Sequence, residues 1–149
     1  MKLKKEEGMT INFRKTIMVF KATLDNTHNA YSTILMTHPP LIGPALHVHP
    51  NGVETFYILK GDYVFTLNDT TIEATEGDFI LVPQNEPHKY KSGSFGGQML
   101  VTTPKNIEVY FLHVAEKLLE GEVSIDYEFE FAKNNGQTFL DRSEHWGQK

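Results

Sequence analysis

Between residues 16 and 103, apolar and polar positions alternate with a period of two in short runs. Residues 62–68 (DYVFTLN) show this most clearly: Tyr63, Phe65 and Leu67 share one parity, Val64 and Thr66 the other. Successive side chains of an extended chain leave opposite faces, so this pattern predicts a half-buried strand. Thr16–Ala22 (TIMVFKA) and residues 30–37, 54–59, 71–74, 78–83, 88–91 and 98–103 are rich in β-branched and aromatic residues. Gly, Pro, Asn and Asp stand between them as turn formers. His38-Pro39-Pro40 closes the second run, because proline cannot donate to a ladder. About eight to ten short strands with frequent turns predict an all-β sandwich or barrel.

After Pro104 the period changes. Ile107, Tyr110, Phe111, Val114 and Leu118 follow i, i+3, i+4, i+7, i+11, the apolar stripe of an amphipathic helix, and Gly121 closes it. Residues 125–131 read both ways. Ile125, Tyr127, Phe129 and Phe131 alternate with acids as in a strand; Ser124 as N-cap, acids in the first turn and Gly136 as C′ specify a helix. We take the helix. Residues 1–10 are charged and unpatterned, which predicts disorder. KKEEG ahead of Met9 is either such a tail or a translated ribosome-binding sequence preceding a start at Met9. The expected division is a flexible tail over 1–15, a barrel over 16–104 and a helical extension over 105–149.

Residues 44–61 (PALHVHPNGVETFYILKG) carry the chemistry. His47 and His49 are two apart, so on a strand both imidazoles leave the same face. Pro50-Asn51-Gly52 is a turn, and Glu54 opens the next strand, from which it can point back at both rings. His88 follows the turn at residues 84–87 as a fourth candidate. Imidazoles and a carboxylate on converging strands make a divalent-metal site.

The spacing of His47, His49, Glu54 and Gly61 resembles the first motif of the cupin superfamily, and Gly77, Pro83 and His88 resemble the second. The likeness spans the middle third of the chain. It implies a single cupin β-barrel, or jelly roll, with His47, His49, Glu54 and His88 as metal ligands. Three positions depart from the pattern. The glycine ahead of the first histidine, Gly43, stands closer than usual; Asn85 and Ser92 replace a family Gly and Asn. None of these removes a ligand, and Asn tolerates positive φ. The segment after Pro104, with its aromatic pair and helix, resembles the tail of quercetin 2,3-dioxygenase-like small cupins.

Composition narrows the partners. The chain has 149 residues, a net charge of −5, two arginines and no cysteine. One domain with a sizeable core is the default at this length. The acidic balance argues against nucleic acid, which requires a basic face. Without cysteine there is neither a disulfide nor a thiolate metal site, as suits a reducing cytosol. No apolar run is long enough to span a bilayer, and the N-terminus lacks the apolar core of a signal peptide. A cytoplasmic protein is expected. Arg14 and Arg142 lie outside the core strands, and Lys89 and Lys91 have the parity opposite to His88. A phosphate, nucleotide-sugar or dicarboxylate site recruits arginine for bidentate contacts. Neutral or phenolic ligands therefore fit better than those of sugar epimerases or oxalate-degrading cupins.

Phe56, Ile58, Tyr63, Phe65 and Tyr90 are expected partly to line an apolar pocket beside the metal. His28, His38, His113 and His145 read as structural or solvated, with His38 within reach of the barrel rim. The resemblance implies a metal-dependent dioxygenase, an oxidoreductase acting on a small aromatic or enolic substrate; the residues fit it, since metal coordination lowers a phenol or enol pKa and Glu54 can take the proton as catalytic base. A non-enzymatic small-molecule-binding cupin and a metal-dependent isomerase or hydrolase are the alternatives. Fe, Mn, Ni, Co, Cu and Zn all suit an imidazole–carboxylate site. A homodimer is expected, because the N-terminal strands and helical tail exceed what one small barrel needs and its edges need covering.

Overall fold

The computed structural model describes residues 1–148. Among them nine strands pair antiparallel: β1 Met9–Phe13, β2 Thr16–Ala22, β3 Tyr31–His38, β4 His47–Val48, β5 Glu54–Leu67, β6 Thr70–Ala74, β7 Phe79–Val82, β8 His88–Pro104 and β9 Thr138–Phe139. Two helices, α1 Ile107–Glu120 and α2 Ile125–Lys133, precede β9, and a 3₁₀ turn over His145–Gly147 follows it. The sheet runs β1-β2-β3-β8-β4-β9, with β5 joining β6, β7 and β8. This is a jelly-roll barrel with helices packed outside it.

The long antiparallel strands β5 and β8 form its spine. Runs predicted as separate strands, 54–59 with 62–68 and 88–91 with 98–103, are each continuous. The register shifts between Ile58 and Lys60, opposite Met99 and Gln98, and between Gly61 and Tyr63, opposite Gly97 and Ser92. The shift inverts side-chain parity. Buried residues are Glu54, Phe56 and Ile58 before it, Tyr63 and Phe65 after it; on β8 they are His88, Tyr90 and Ser92, then Met99, Val101 and Thr103. The irregularity thus bends each strand while keeping its apolar set inward, as bulges do.

Two boundaries differ from expectation. The 1–15 segment is not all tail: Met9–Phe13 is β1, paired with β2 from Met9↔Phe20 to Phe13↔Thr16. Ile11 and Phe13 alternate with Thr10 and Asn12, a short signal masked by the charges before it. Lys21 Nζ donates to the carbonyls of Lys4 and Glu7 at 2.8 and 2.6 Å and also to Lys5, tying down residues expected to be disordered. The C-terminal extension is not only helical, since β9 and the 3₁₀ turn return to the barrel.

Both helices form where expected. In α1, Ile107, Tyr110, Phe111 and Val114 are buried against Phe13, whose ring centroid is 5.1 Å from that of Phe111. Glu108 in its first turn accepts Leu24 N–H at 3.1 Å and Ser32 Oγ–H at 2.8 Å. Ser124 caps α2 by accepting Tyr127 N–H at 3.1 Å. The helix stops earlier than Gly136 as C′ would place it: Asn134 is the C-cap, and Gly136 follows at φ 78°. No helix among the described residues is long and apolar enough to cross a membrane.

Candidate metal centre

Sheet pairing brings the four sequence-predicted ligands together. His47 opens β4 and pairs directly with His88, the first residue of β8. Glu54 opens β5, and His49 lies between β4 and the turn. The imidazole centroids are 4.2 Å apart for His47–His88, 4.9 Å for His47–His49 and 5.0 Å for His49–His88. All four residues are buried, and one ligand atom from each lies within 4.8 Å of the others.

The hydrogen bonds around the rings fix their chemistry. His47 Nδ1–H donates to Ala45 O at 2.8 Å, and His88 Nδ1–H donates to Glu86 O at 2.9 Å. A carbonyl only accepts, so in each neutral ring Nε2 carries a lone pair facing the cluster. His88 Nε2 lies 3.0 Å from Glu54 Oε1. A lone pair there would face a carboxylate oxygen, so either a proton on Nε2 or a metal ion stands between the two. His49 Nε2 is 3.1 Å from the same oxygen, and its buried Nδ1 has no partner. Donor atoms each ~2.1 Å from a shared ion and at a right angle stand ~3 Å apart, so these residues fit a divalent ion. Burial acts to raise the Glu54 pKa, but the imidazoles of His49 and His88 outweigh it and hold the carboxyl far below its usual range. Burial first, then the neighbouring His88 and His49, push His47 down, so it stays neutral and able to ligate.

Beside the cluster lies a narrow cavity of about 20 Å³, room for roughly one water. Of the five residues expected to line it, Phe56, Phe65 and Tyr90 do. Ile58 and Tyr63 do not. Ile58 sits farther along β5 toward the bend, and Tyr63 beyond the bend turns its hydroxyl to His38 at 2.8 Å. His38, read as structural or solvated, is the end of β3 and bridges two phenols, with Nε2 2.9 Å from Tyr90 Oη. One of its ring nitrogens donates and the other accepts.

The spacing motifs gave no sign of the cavity's other wall, which includes Phe111 from α1 and Gln137 and Trp146 from the C-terminal arm. Gln137 Oε1 is buried there without a partner. His145, expected to be structural or solvated, is fully buried and accepts Ala45 N–H at 3.1 Å through Nδ1. Its Nε2–H donates to Glu128, which also accepts Tyr110 Oη–H at 2.6 Å and Arg14 Nε–H at 2.8 Å. Only the lone tryptophan beside His145 hinted at this anchorage. Arg142 pairs with Asp126 at the surface, so neither arginine faces the cavity; Lys89, of outward parity, borders it.

Known proteins agree with this architecture. Residues 34–102 match the Cupin domain family. The chain is 35% identical over 66 residues to quercetin 2,3-dioxygenase of Bacillus subtilis, a match covering 44% of this chain and 20% of that protein. In fold it is similar to an RmlC-like cupin from Shewanella frigidimarina (TM-score 0.62, 15% identity, 72% of this chain and 93% of the other). It is also similar to a predicted oxalate decarboxylase from Thermotoga maritima (TM-score 0.59, 23% identity, 70% and 99%). With the motif histidines and Glu54 gathered where the jelly roll brings its strands together, residues 34–102 are a domain of the cupin superfamily.

Proposed function

We propose that this cupin is a metal-dependent dioxygenase acting on a small aromatic or enolic substrate. One observation carries the reading: three imidazoles and a carboxylate converge beside a buried cavity walled by Phe56, Phe65 and Tyr90. The partial likeness to quercetin 2,3-dioxygenase supports the reaction class. His47, His49, Glu54 and His88 would hold the ion. When bound, a redox-active divalent ion supplies Lewis acidity and electron transfer to dioxygen chemistry.

The chain's own residues do the rest. The carbonyls of Ala45 and Glu86 hold the rings of His47 and His88 with Nε2 inward. The aromatic wall leaves room for roughly one water and, once shifted, offers ring edges to an aromatic substrate. Glu54 is the one member of the four that can both ligate and take a proton from a phenol or enol. Its depressed pKa keeps it ionised at neutral pH, and it becomes a stronger base once substrate draws it from the cluster.

The second reading, a small-molecule-binding cupin without turnover, uses the same cluster and wall, and in either reading the wall must shift, since about 20 Å³ does not admit an aromatic ring. Oxygen consumption by protein loaded in turn with Fe, Mn, Ni, Co and Cu, offered a panel of phenols and enols, separates the two. Uptake of dioxygen with one metal and stoichiometric product supports the dioxygenase. Ligand-dependent thermal protection with no oxygen uptake for any metal supports the binder.

A further inference from the structure

The short segment just ahead of the ligands is held in place by the far end of the chain. Residues 43–46 belong to no strand. Trp146 N–H donates to Gly43 O at 2.7 Å, Ala45 N–H donates to His145 Nδ1 at 3.1 Å, and Leu140 N–H donates to Leu46 O at 2.8 Å. Next along, His47 pairs with Phe139, their ring centroids 5.4 Å apart. Ala45 is the pivot, because its carbonyl also accepts the Nδ1–H of His47. A continuous path therefore runs from Arg14 and Tyr110 through Glu128 and His145 to residue 45 and the His47 ring.

The arm takes this position at a conformational cost. Glu144 and Trp146 adopt φ 53° and 49°, the left-handed region, which costs a bulky residue about 1–3 kcal/mol. Such a conformation persists where surrounding contacts over-determine it. Here they are the bonds to residues 43–46 and the packing of Trp146 on Phe13, with centroids 5.5 Å apart.

We propose that residues 137–148 are a structural part of the metal centre and that His145 is a positioning residue, fixing His47 through Ala45. The inference rests on the metal reading of the four-residue cluster, not on the dioxygenase assignment. Groups that orient a ligand's supporting hydrogen bonds affect affinity without touching the ion.

Two amide variants divide the contacts of His145. In His145→Asn the side-chain oxygen stands where Nδ1 was and accepts from Ala45, while the bond to Glu128 is lost. In His145→Gln the terminal amide stands where Nε2 was and donates to Glu128, while the Ala45 contact is lost. Each variant gives up one buried hydrogen bond, and the one lost in His145→Asn, to the Glu128 carboxylate, is the stronger, so a merely structural role moves His145→Asn at least as far as His145→Gln. With Co²⁺ as probe, followed by calorimetry and its visible spectrum, His145→Gln is expected to bind about tenfold more weakly or worse with shifted bands, and His145→Asn to remain within about threefold of wild type. Equal affinities in the two variants overturn the proposal.

Hydrogen exchange on the wild-type protein needs no variant to fold. Coupling is reciprocal, so Co²⁺ should slow exchange of the Ala45, Leu140 and Trp146 amides. Unchanged protection at saturating Co²⁺ overturns the proposal. Wild type that takes up no Co²⁺ removes the metal reading itself; Co²⁺ uptake with His145→Gln matching wild type removes this inference alone.

Discussion

At the scale of single residues, the candidate ligands His47, His49 and Glu54 were legible because their geometry is local, whereas His88, 34 residues beyond Glu54, was reached through the motif it resembles. A two-residue spacing on a strand sets His47 and His49 on one face whatever surrounds them. Gln137 was not legible, since nothing in its own neighbourhood places it against a cavity. Among the described residues its buried acceptor meets no donor, so its desolvation cost is unrepaid unless the cavity's water supplies one. Gln137→Met, similar in shape and without the amide, is expected to raise unfolding stability by about 1 kcal/mol, read as an increased denaturant midpoint at constant slope. A lower midpoint would mean that the amide finds a partner in solution. Glu54→Gln tests the chemistry. At saturating metal the variant should retain ion and substrate but lose at least about a hundredfold in turnover, roughly 2.7 kcal/mol of transition-state stabilisation. Near-wild-type turnover of metal-replete Glu54→Gln would reduce Glu54 to a plain ligand.

At the scale of elements, period-two runs and the change of period after Pro104 gave the strands and α1. They did not show that pairs of runs are single bent strands. Gly61 looked like a terminator because a glycine commonly ends a strand; in place it is the corner of β5. Its φ is 80°, and a Cβ there would stand 2.4 Å from Gly96 O, a backbone atom that cannot move aside. Gly77, the opening glycine of the second motif, also has positive φ, at 90°, but a Cβ would meet nothing within 4 Å. The two glycines are thus kept for different reasons. Gly77→Ala should cost only the conformational penalty, about 1 kcal/mol. Gly61→Ala adds a backbone clash and should cost at least about 2 kcal/mol more. Urea midpoints compare them directly, and equal losses would show that the β5–β8 corner yields readily. The arm was the least legible element, because its bond from His145 to Ala45 spans 100 residues and neither end forms a local pattern.

At the scale of the whole molecule, assembly and acid stability follow from what the barrel exposes and what it buries. Among the described residues, strand β7 pairs only with β5, and on the outer face of this pair Tyr57 stands opposite Phe79, with Leu59 and Leu81 alongside, all exposed. A free edge flanked by an apolar stripe is the surface a second copy is expected to cover. Light scattering should give twice the 17.0 kDa of one chain, and Phe79→Glu should return it to one; a wild-type mass of one chain at micromolar concentration would remove the dimer. Inside the barrel, burial pushes His38 down to about 3, so the folded protein keeps the ring neutral between Tyr63 and Tyr90. The unfolded chain protonates the same ring near 6.5. Between those values the unfolded state binds the extra proton, so the contribution of His38 is complete above about pH 6.5 and is lost as pH falls toward 3, at about 1.4 kcal/mol per unit. Glu128 acts in the same sense at lower pH. Its carboxyl is held below the usual range despite burial, by His145 and then Tyr110 and Arg14, so its contribution is present above about 4.5 and lost below. In metal-free protein, urea midpoints at pH 7.5, 6.0 and 5.0 should therefore fall before any ordinary carboxylate titrates. His38→Gln, which keeps a polar bridge but cannot take the proton, should be less stable than wild type at pH 7.5 and close the gap by about 1.4 kcal/mol per unit below 6.5. A gap that stays constant from pH 7.5 to 5.0 would place His38 in contact with solvent and assign the acid sensitivity to other groups.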